Sequence, residues 1–151
     1  MTMEDPRASM QEALKKAMIE KDTLRRDVLR TVLSEFKQAE IDGMKTLTAE
    51  ESIAILQREI KKRRESIDEA RKAGRDDIAD AAQAEIGVIE VFLPTQLSRE
   101  QIEALVRDAI AQTGASNPKE MGKVMSVLMP KVKGVADGKL VNDIVREMLN
   151  G

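Results

Sequence analysis

The side chains in this sequence that could take part in chemistry are carboxylates, lysines and arginines, because it contains no histidine and no cysteine. That composition excludes imidazole general bases, thiolate nucleophiles, Ser-His-Asp arrangements, disulfides, and thiolate or imidazole metal sites. The remaining carboxylates fall at three- and four-residue spacings from basic side chains, as in Glu59 to Arg63 and Glu69 to Lys72. That spacing is the pattern of solvated ion pairs on helix faces. Asp76, Asp77 and Asp80 could hold a hard metal ion, but an acidic first helical turn accounts for them better. No Walker-type loop and no GxGxxG run is present. The expectation is a protein with no catalytic residue, no metal and no cofactor, and therefore no catalysis on its own.

Binding is better supported than catalysis. Between 119 and 139, Lys119, Lys123, Lys131, Lys133 and Lys139 face only Glu120 and Asp137, a local charge of +3 in a chain of net charge −2. Three of these lysines flank Pro130 and Gly134, where the chain should turn. A glycine there allows close backbone approach, and a helix starting near Asp137 would offer N–H groups suited to an anion. No aromatic residue accompanies the lysines, so they suit gripping a phosphate backbone rather than reading bases. A second basic run, Lys61-Lys62-Arg63-Arg64, spans one helical turn and points around it; it could extend such a surface.

The elements that must position these residues are helices. Only 1% of the 151 residues are aromatic, and the chain leans on Ala, Leu, Met, Glu, Lys and Arg, the strong helix formers. Seven helical segments follow from periodicity and punctuation. The first opens at Ser9 with Glu12 as capping partner, and carries Met10, Leu14, Ala17 and Met18 as its stripe. The second starts near Asp22, buries a face from Leu24 to Phe36, and stops at Gly43. The third opens with a Thr48–Glu51 box and runs to Ala73, about 37 Å at 1.5 Å per residue. Its charged later half is expected to project into solvent. The fourth, about Asp77 to Phe92, carries Ile78, Ala82, Ile86 and Ile89 at heptad-like spacing and could pack antiparallel to the third.

Leu93-Pro94-Thr95-Gln96-Leu97-Ser98 reads as a boundary. The fifth helix opens at Ser98 with Gln101, and Gly114 stops it. The sixth starts at Asn117-Pro118, presents Met121, Val124, Met125, Leu128 and Met129, and meets Pro130, which should kink or end it. The seventh is capped by Asp137 and carries Leu140, Val141, Ile144, Val145, Met148 and Leu149. The expected architecture is all-α, with two helical subdomains in tandem. Residues 1–94 would form a four-helix module with a long helical hairpin, and 95–151 a three-helix module. A three-helix module of that size lies near the lower limit of independent stability. The acidic, proline-containing start is unlike a signal peptide, and no apolar run reaches the roughly 20 residues a membrane span needs. A cytoplasmic protein is the expectation.

The run Glu120 to Val145 resembles the YqeY family, which is similar to the C-terminal tail of the B subunit of the tRNA-dependent amidotransferase. The shared pattern falls here on Gly122, Met129, Lys133, Gly134, Ala136, Val141 and Asn142. Lys131 and Lys133 straddle a valine. Lys61-Lys62-Arg63-Arg64, Ala73-Gly74-Arg75 and Leu93-Pro94-Thr95-Gln96-Leu97-Ser98 also resemble that family's segments. Phe92 stands where the family would suggest a tyrosine. The resemblance implies a tRNA-binding accessory module. The label of a glutamine-dependent carbon–nitrogen ligase would then be inherited from the larger assembly. Phosphates would meet Lys119, Lys123, Lys131, Lys133, Gly134 and Lys139, with Lys61, Lys62, Arg63 and Arg64 extending the surface. The other reading is a protein-interaction adaptor whose Met-rich face or long third helix docks on a synthetase or amidotransferase subunit. No membrane partner is implied.

Overall fold

A computed structural model describes residues 4–150. Its helices are α1 (Pro6–Glu20), α2 (Thr23–Gly43), α3 (Ala49–Lys72), α4 (Asp76–Glu90), α5 (Arg99–Thr113), α6 (Met121–Val132) and α7 (Gly138–Asn150). A single 3-10 turn, Pro118–Glu120, precedes α6. There is no β-strand among the described residues, and the fold is all-α. The chain divides into two compact units, the first ending at Leu93 and the second beginning at Pro94.

Local chemistry sets most helix ends. Thr48 and Glu51 form a reciprocal capping box at the start of α3, and Ser98 and Gln101 form another at α5. Gly74 and Gly114 take left-handed conformations, with φ of 72° and 71°, where α3 and α5 end. Two ends differ from the sequence expectation. α1 begins at Pro6, capped by Asp5, whose carboxylate accepts the Arg7 N–H at 3.0 Å. Ser9 lies inside the helix and is exposed, because the Asp5-Pro6 pair supplies an earlier cap and a preset φ. At the end of α2, Gly43 is the last helical residue and Met44 takes the left-handed conformation instead, at φ 52°.

The first unit buries Met10, Leu29, Val32, Phe36, Leu56, Ile86 and Ile89 in one core. The later half of α3 does not simply project into solvent. Ile67 and Ala70 are buried in the same core, and α4 packs along α3. Met18, Leu24 and Ile78, expected on buried stripes, are exposed. Those stripes are wider than the neighbouring helices cover.

The second unit is built on α7, which buries Val141, Ile144, Val145 and Leu149 and exposes Asn142, Arg146 and Glu147. Against this face pack Ile102, Val106 and Ala109 of α5 and Val124, Leu128 and Val132 of α6. Met121, Met125 and Met148 are half-buried against that core, while Met129 is exposed. Most of the Met-rich face therefore serves its own unit, in the adaptable filling role suited to methionine. Arg99 joins the start of α5 to α7, with Nε 2.9 Å from Glu103 and Nη2 2.5 Å from Glu147. The hydrogen bond to Glu103, and then Glu147, hold its guanidinium above its ordinary value. Among the described residues no helix is long and apolar enough to cross a membrane.

Candidate nucleic-acid interface

The lysines of the second unit are arranged by what lies between them. Asn117 accepts the Lys119 backbone N–H at 2.9 Å and so starts the 3-10 turn, leaving Lys119 exposed. Glu120, the nearest anion, turns back to accept the Ser116 N–H at 2.6 Å. Lys123 is exposed on the first turn of α6. Pro130 sits within the last turn of α6 without ending it at that point. Its missing N–H is tolerated so near the C-terminus because only the final hydrogen bonds are affected.

Beyond Pro130 the chain alternates. Lys131 and Lys133 are exposed, and Val132 between them is 1% exposed. The valine anchors the segment in the core, so both flanking lysines face outward. Lys133 leaves the helix in an extended conformation, its N–H still bonded to the Met129 carbonyl at 3.1 Å. Gly134 then takes φ 78°, a conformation that glycine adopts without steric cost. The N–H groups of Val135 and Ala136 both reach back to the Val132 carbonyl, at 3.1 and 3.0 Å. Ala136 is buried, and Lys139 is exposed on the first turn of α7.

Two parts of the sequence expectation change in detail. Gly134, expected to allow close approach, is itself buried and turns the chain at φ 78°. The start of α7 is not an open anion cup either. Asp137 caps it, its carboxylate accepting the Lys139 N–H at 3.3 Å and its carbonyl the Val141 N–H at 3.0 Å. The positive character of the turn thus rests on lysine side chains.

One feature was not legible in the sequence. Gln96 donates its side-chain amide to the Gly134 carbonyl at 3.0 Å and to the Pro94 carbonyl at 2.8 Å. Leu97 donates its N–H to the Val135 carbonyl at 2.8 Å. The segment before α5, read as a boundary, is thus tied to the lysine turn. The bonds link residues 38 apart, and no local pattern signals them.

The 61–64 run lies in the first unit and has partners there. Glu59 is 3% exposed, and it receives Arg63 Nη1 at 2.9 Å and Lys62 Nζ at 3.3 Å. Arg63 Nε also lies 3.8 Å from Glu85 of α4, and Arg64 Nη2 lies 3.9 Å from Glu90. Lys61 is half-buried. Arg63 in particular is largely enclosed: its Nη1 bonds to Glu59, while its buried Nε has Glu85 only at ion-pair distance and no hydrogen-bond partner. The carboxylates at the start of α4 are likewise engaged: Asp76 and Asp80 lie 3.3 and 3.5 Å from Arg71. Asp77 lies 3.2 Å from Arg75, whose hydrogen bond holds that carboxyl below its ordinary value.

The profile of the family described as "Yqey-like protein" matches residues 7–149. Among individual proteins, the chain is 36% identical over 118 residues to "Altered inheritance of mitochondria protein 41, mitochondrial" of Lachancea thermotolerans, covering 76% of this chain and 63% of that protein. The protein of the same name from Kluyveromyces lactis is 33% identical over 136 residues, covering 87% and 69%. That from Pyrenophora tritici-repentis is 27% identical over 144 residues, covering 93% and 78%. The chain therefore spans roughly two thirds of the length of the first two of these relatives.

Proposed function

The chain belongs to the YqeY-like family, and from that premise we propose that it is a small accessory protein whose second unit binds tRNA through the phosphate backbone. The observation that carries this reading is the turn between α6 and α7. Buried Val132 and Ala136 hold it in the core while Lys131, Lys133 and Lys139 stand exposed around it. Lys119 and Lys123 continue the positive character along the unit. Lysines are point charges on flexible stems, suited to phosphates rather than to base edges. With both aromatic residues of the chain, Phe36 and Phe92, in the first unit, the second has no ring on which a base could stack. The partner that fits is a structured RNA recognised by shape and charge.

In this reading the protein is related to the tail of the amidotransferase B subunit and supplies a hold on tRNA, while any carbon–nitrogen ligation happens in partner subunits. It would work in the cytoplasm. The relatives named above are mitochondrial by name, so an organellar setting is the competing assignment. The test compares the chain with a Lys131→Ala/Lys133→Ala/Lys139→Ala variant in binding total tRNA at low salt, with helicity checked in both. Loss of affinity in the variant supports the reading, and equal binding contradicts it.

A second reading rests on a different observation. At the turn between α1 and α2, Ile19 is 82% exposed, beside Met18 at 50% and Leu24 at 44%. Exposed apolar side chains this close in sequence suit docking on a protein such as a synthetase or amidotransferase subunit. Such docking would be nearly insensitive to salt, whereas phosphate binding weakens steeply with it.

A further inference from the structure

We propose that Gln96 is a positioning residue for the lysine turn, a role that rests on the phosphate-binding reading above. Its amide nitrogen has two hydrogens, and both have acceptors: the Pro94 carbonyl at 2.8 Å and the Gly134 carbonyl at 3.0 Å. Gly134 occupies the left-handed position on which the reversal between Lys133 and Ala136 depends. Gly134 as a residue is buried. The bond from Gln96 to its carbonyl is part-buried, and a carbonyl partly shielded from water gains from a donor within the protein. Leu97 N–H to Val135 carbonyl, at 2.8 Å, adds a backbone bond one residue further on. Together these bonds clamp consecutive residues of the turn, between Lys133 and Lys139, to the lead-in of α5.

The backbone bond from Leu97 survives any side-chain change at 96, but the clamp on Gly134 does not. Without it, the turn retains its anchors Val132 and Ala136 while the peptide between them gains freedom. Lys133 and Lys139 then lose their fixed spacing relative to Lys131. Preorganised charges bind a polyanion better than mobile ones, because the ordering has been done in advance.

The experiment measures binding of total tRNA at several salt concentrations by the full chain, Gln96→Met and the Lys131→Ala/Lys133→Ala/Lys139→Ala variant. Helicity and melting temperature are recorded for each. Methionine keeps the length of glutamine and removes both donors. The expected result for Gln96→Met is unchanged helicity, an affinity loss of about tenfold and a salt slope shallower by about one, as for removal of one phosphate-contacting lysine. A residue that supports the fold alone would shift the melting temperature and leave the salt slope of the folded fraction unchanged. If Gln96→Met loses helicity, Gln96→Leu carries the comparison, since it is uncharged like glutamine, similar in volume and has no N–H donor. The proposal is overturned if these variants bind with wild-type affinity and slope while the triple lysine variant does not; the phosphate reading then survives. If the triple variant also binds like the wild type, the phosphate reading fails and this proposal fails with it.

Discussion

Arg7 and Glu40, 33 residues apart, meet with Nη1 3.0 Å from Oε2. The same Glu40 oxygen accepts the Leu47 N–H at 2.9 Å, and Arg7 Nη2 donates to the Leu47 carbonyl at 2.8 Å and to Asp5 at 2.6 Å. One guanidinium thereby closes the start of α1, the end of α2 and the loop into α3. The Leu47 N–H, and then Arg7, hold the Glu40 carboxyl below its ordinary value. The Arg7 hydrogen bond does the same for Asp5.

A depressed carboxylate contributes stability that is fully present above its unfolded value and is lost as pH falls through its folded value. The first unit should therefore lose stability on acidification below the usual carboxylate range, about 4. Glu40→Gln should be less stable than the wild type at neutral pH and should lose less on further acidification. Thermal melts of both proteins across that range check this, and parallel curves would show that the pair carries no pH dependence.

The Glu59–Arg63 pair is the most enclosed ion pair of α3, with side chains 4% and 14% exposed. Removing one partner of a buried pair leaves the other charge uncompensated and typically costs about 3–5 kcal/mol, whereas replacing both with apolar groups is far milder. Here Lys62 at 3.3 Å from Glu59 softens the loss. Arg63→Leu should lower stability by about 3 kcal/mol in urea denaturation. Glu59→Leu/Arg63→Leu should recover most of it. Equal losses in single and double variants would mean that the pair's charges do not matter.

Met44 is 91% exposed and holds a left-handed conformation, φ 52°. A non-glycine residue there costs roughly 1–2 kcal/mol in helical sterics, partly offset because glycine makes the unfolded chain more flexible. Met44→Gly should raise stability by about 0.5 kcal/mol. A fall in denaturation midpoint would mean that the methionine side chain contributes a contact that outweighs the strain.

Leu128 is fully buried in the core of the second unit. A domain of about 60 residues has little margin, and a buried Leu→Ala change costs roughly 2–5 kcal/mol. Leu128→Ala should unfold the second unit at a temperature where the first remains helical, giving two calorimetric transitions. A single transition shifted as a whole would contradict separate stability of the two units.

Local signals carried much of this protein. The Thr48–Glu51 and Ser98–Gln101 boxes lie within four residues of themselves, and the stripes on α5 and α7 follow from spacing alone, so both were legible. The start of α1 was not, because Ser9 and Asp5 are both competent caps and only Pro6, at the first helical position after Asp5, favours Asp5. The left-handed end of α2 falls one residue past the glycine that the sequence offers for it. Exposure of Met18, Leu24 and Ile78 depends on how much of each stripe a neighbouring helix covers, which periodicity does not encode. At the candidate site, the lysines and the Gly134 turn were visible as composition. The contact of Gln96 with Gly134 and the approach of Arg63 to Glu85 join distant segments, and only the folded chain brings them together.

The most direct test of the central claim is the salt dependence of wild-type binding to total tRNA. Contact of the five lysines, Lys119, Lys123, Lys131, Lys133 and Lys139, with phosphates predicts a slope of log affinity against log salt of about −3.5 to −4.5. Absence of binding at low salt, or a slope near zero, would contradict the account and turn attention to the apolar turn around Ile19.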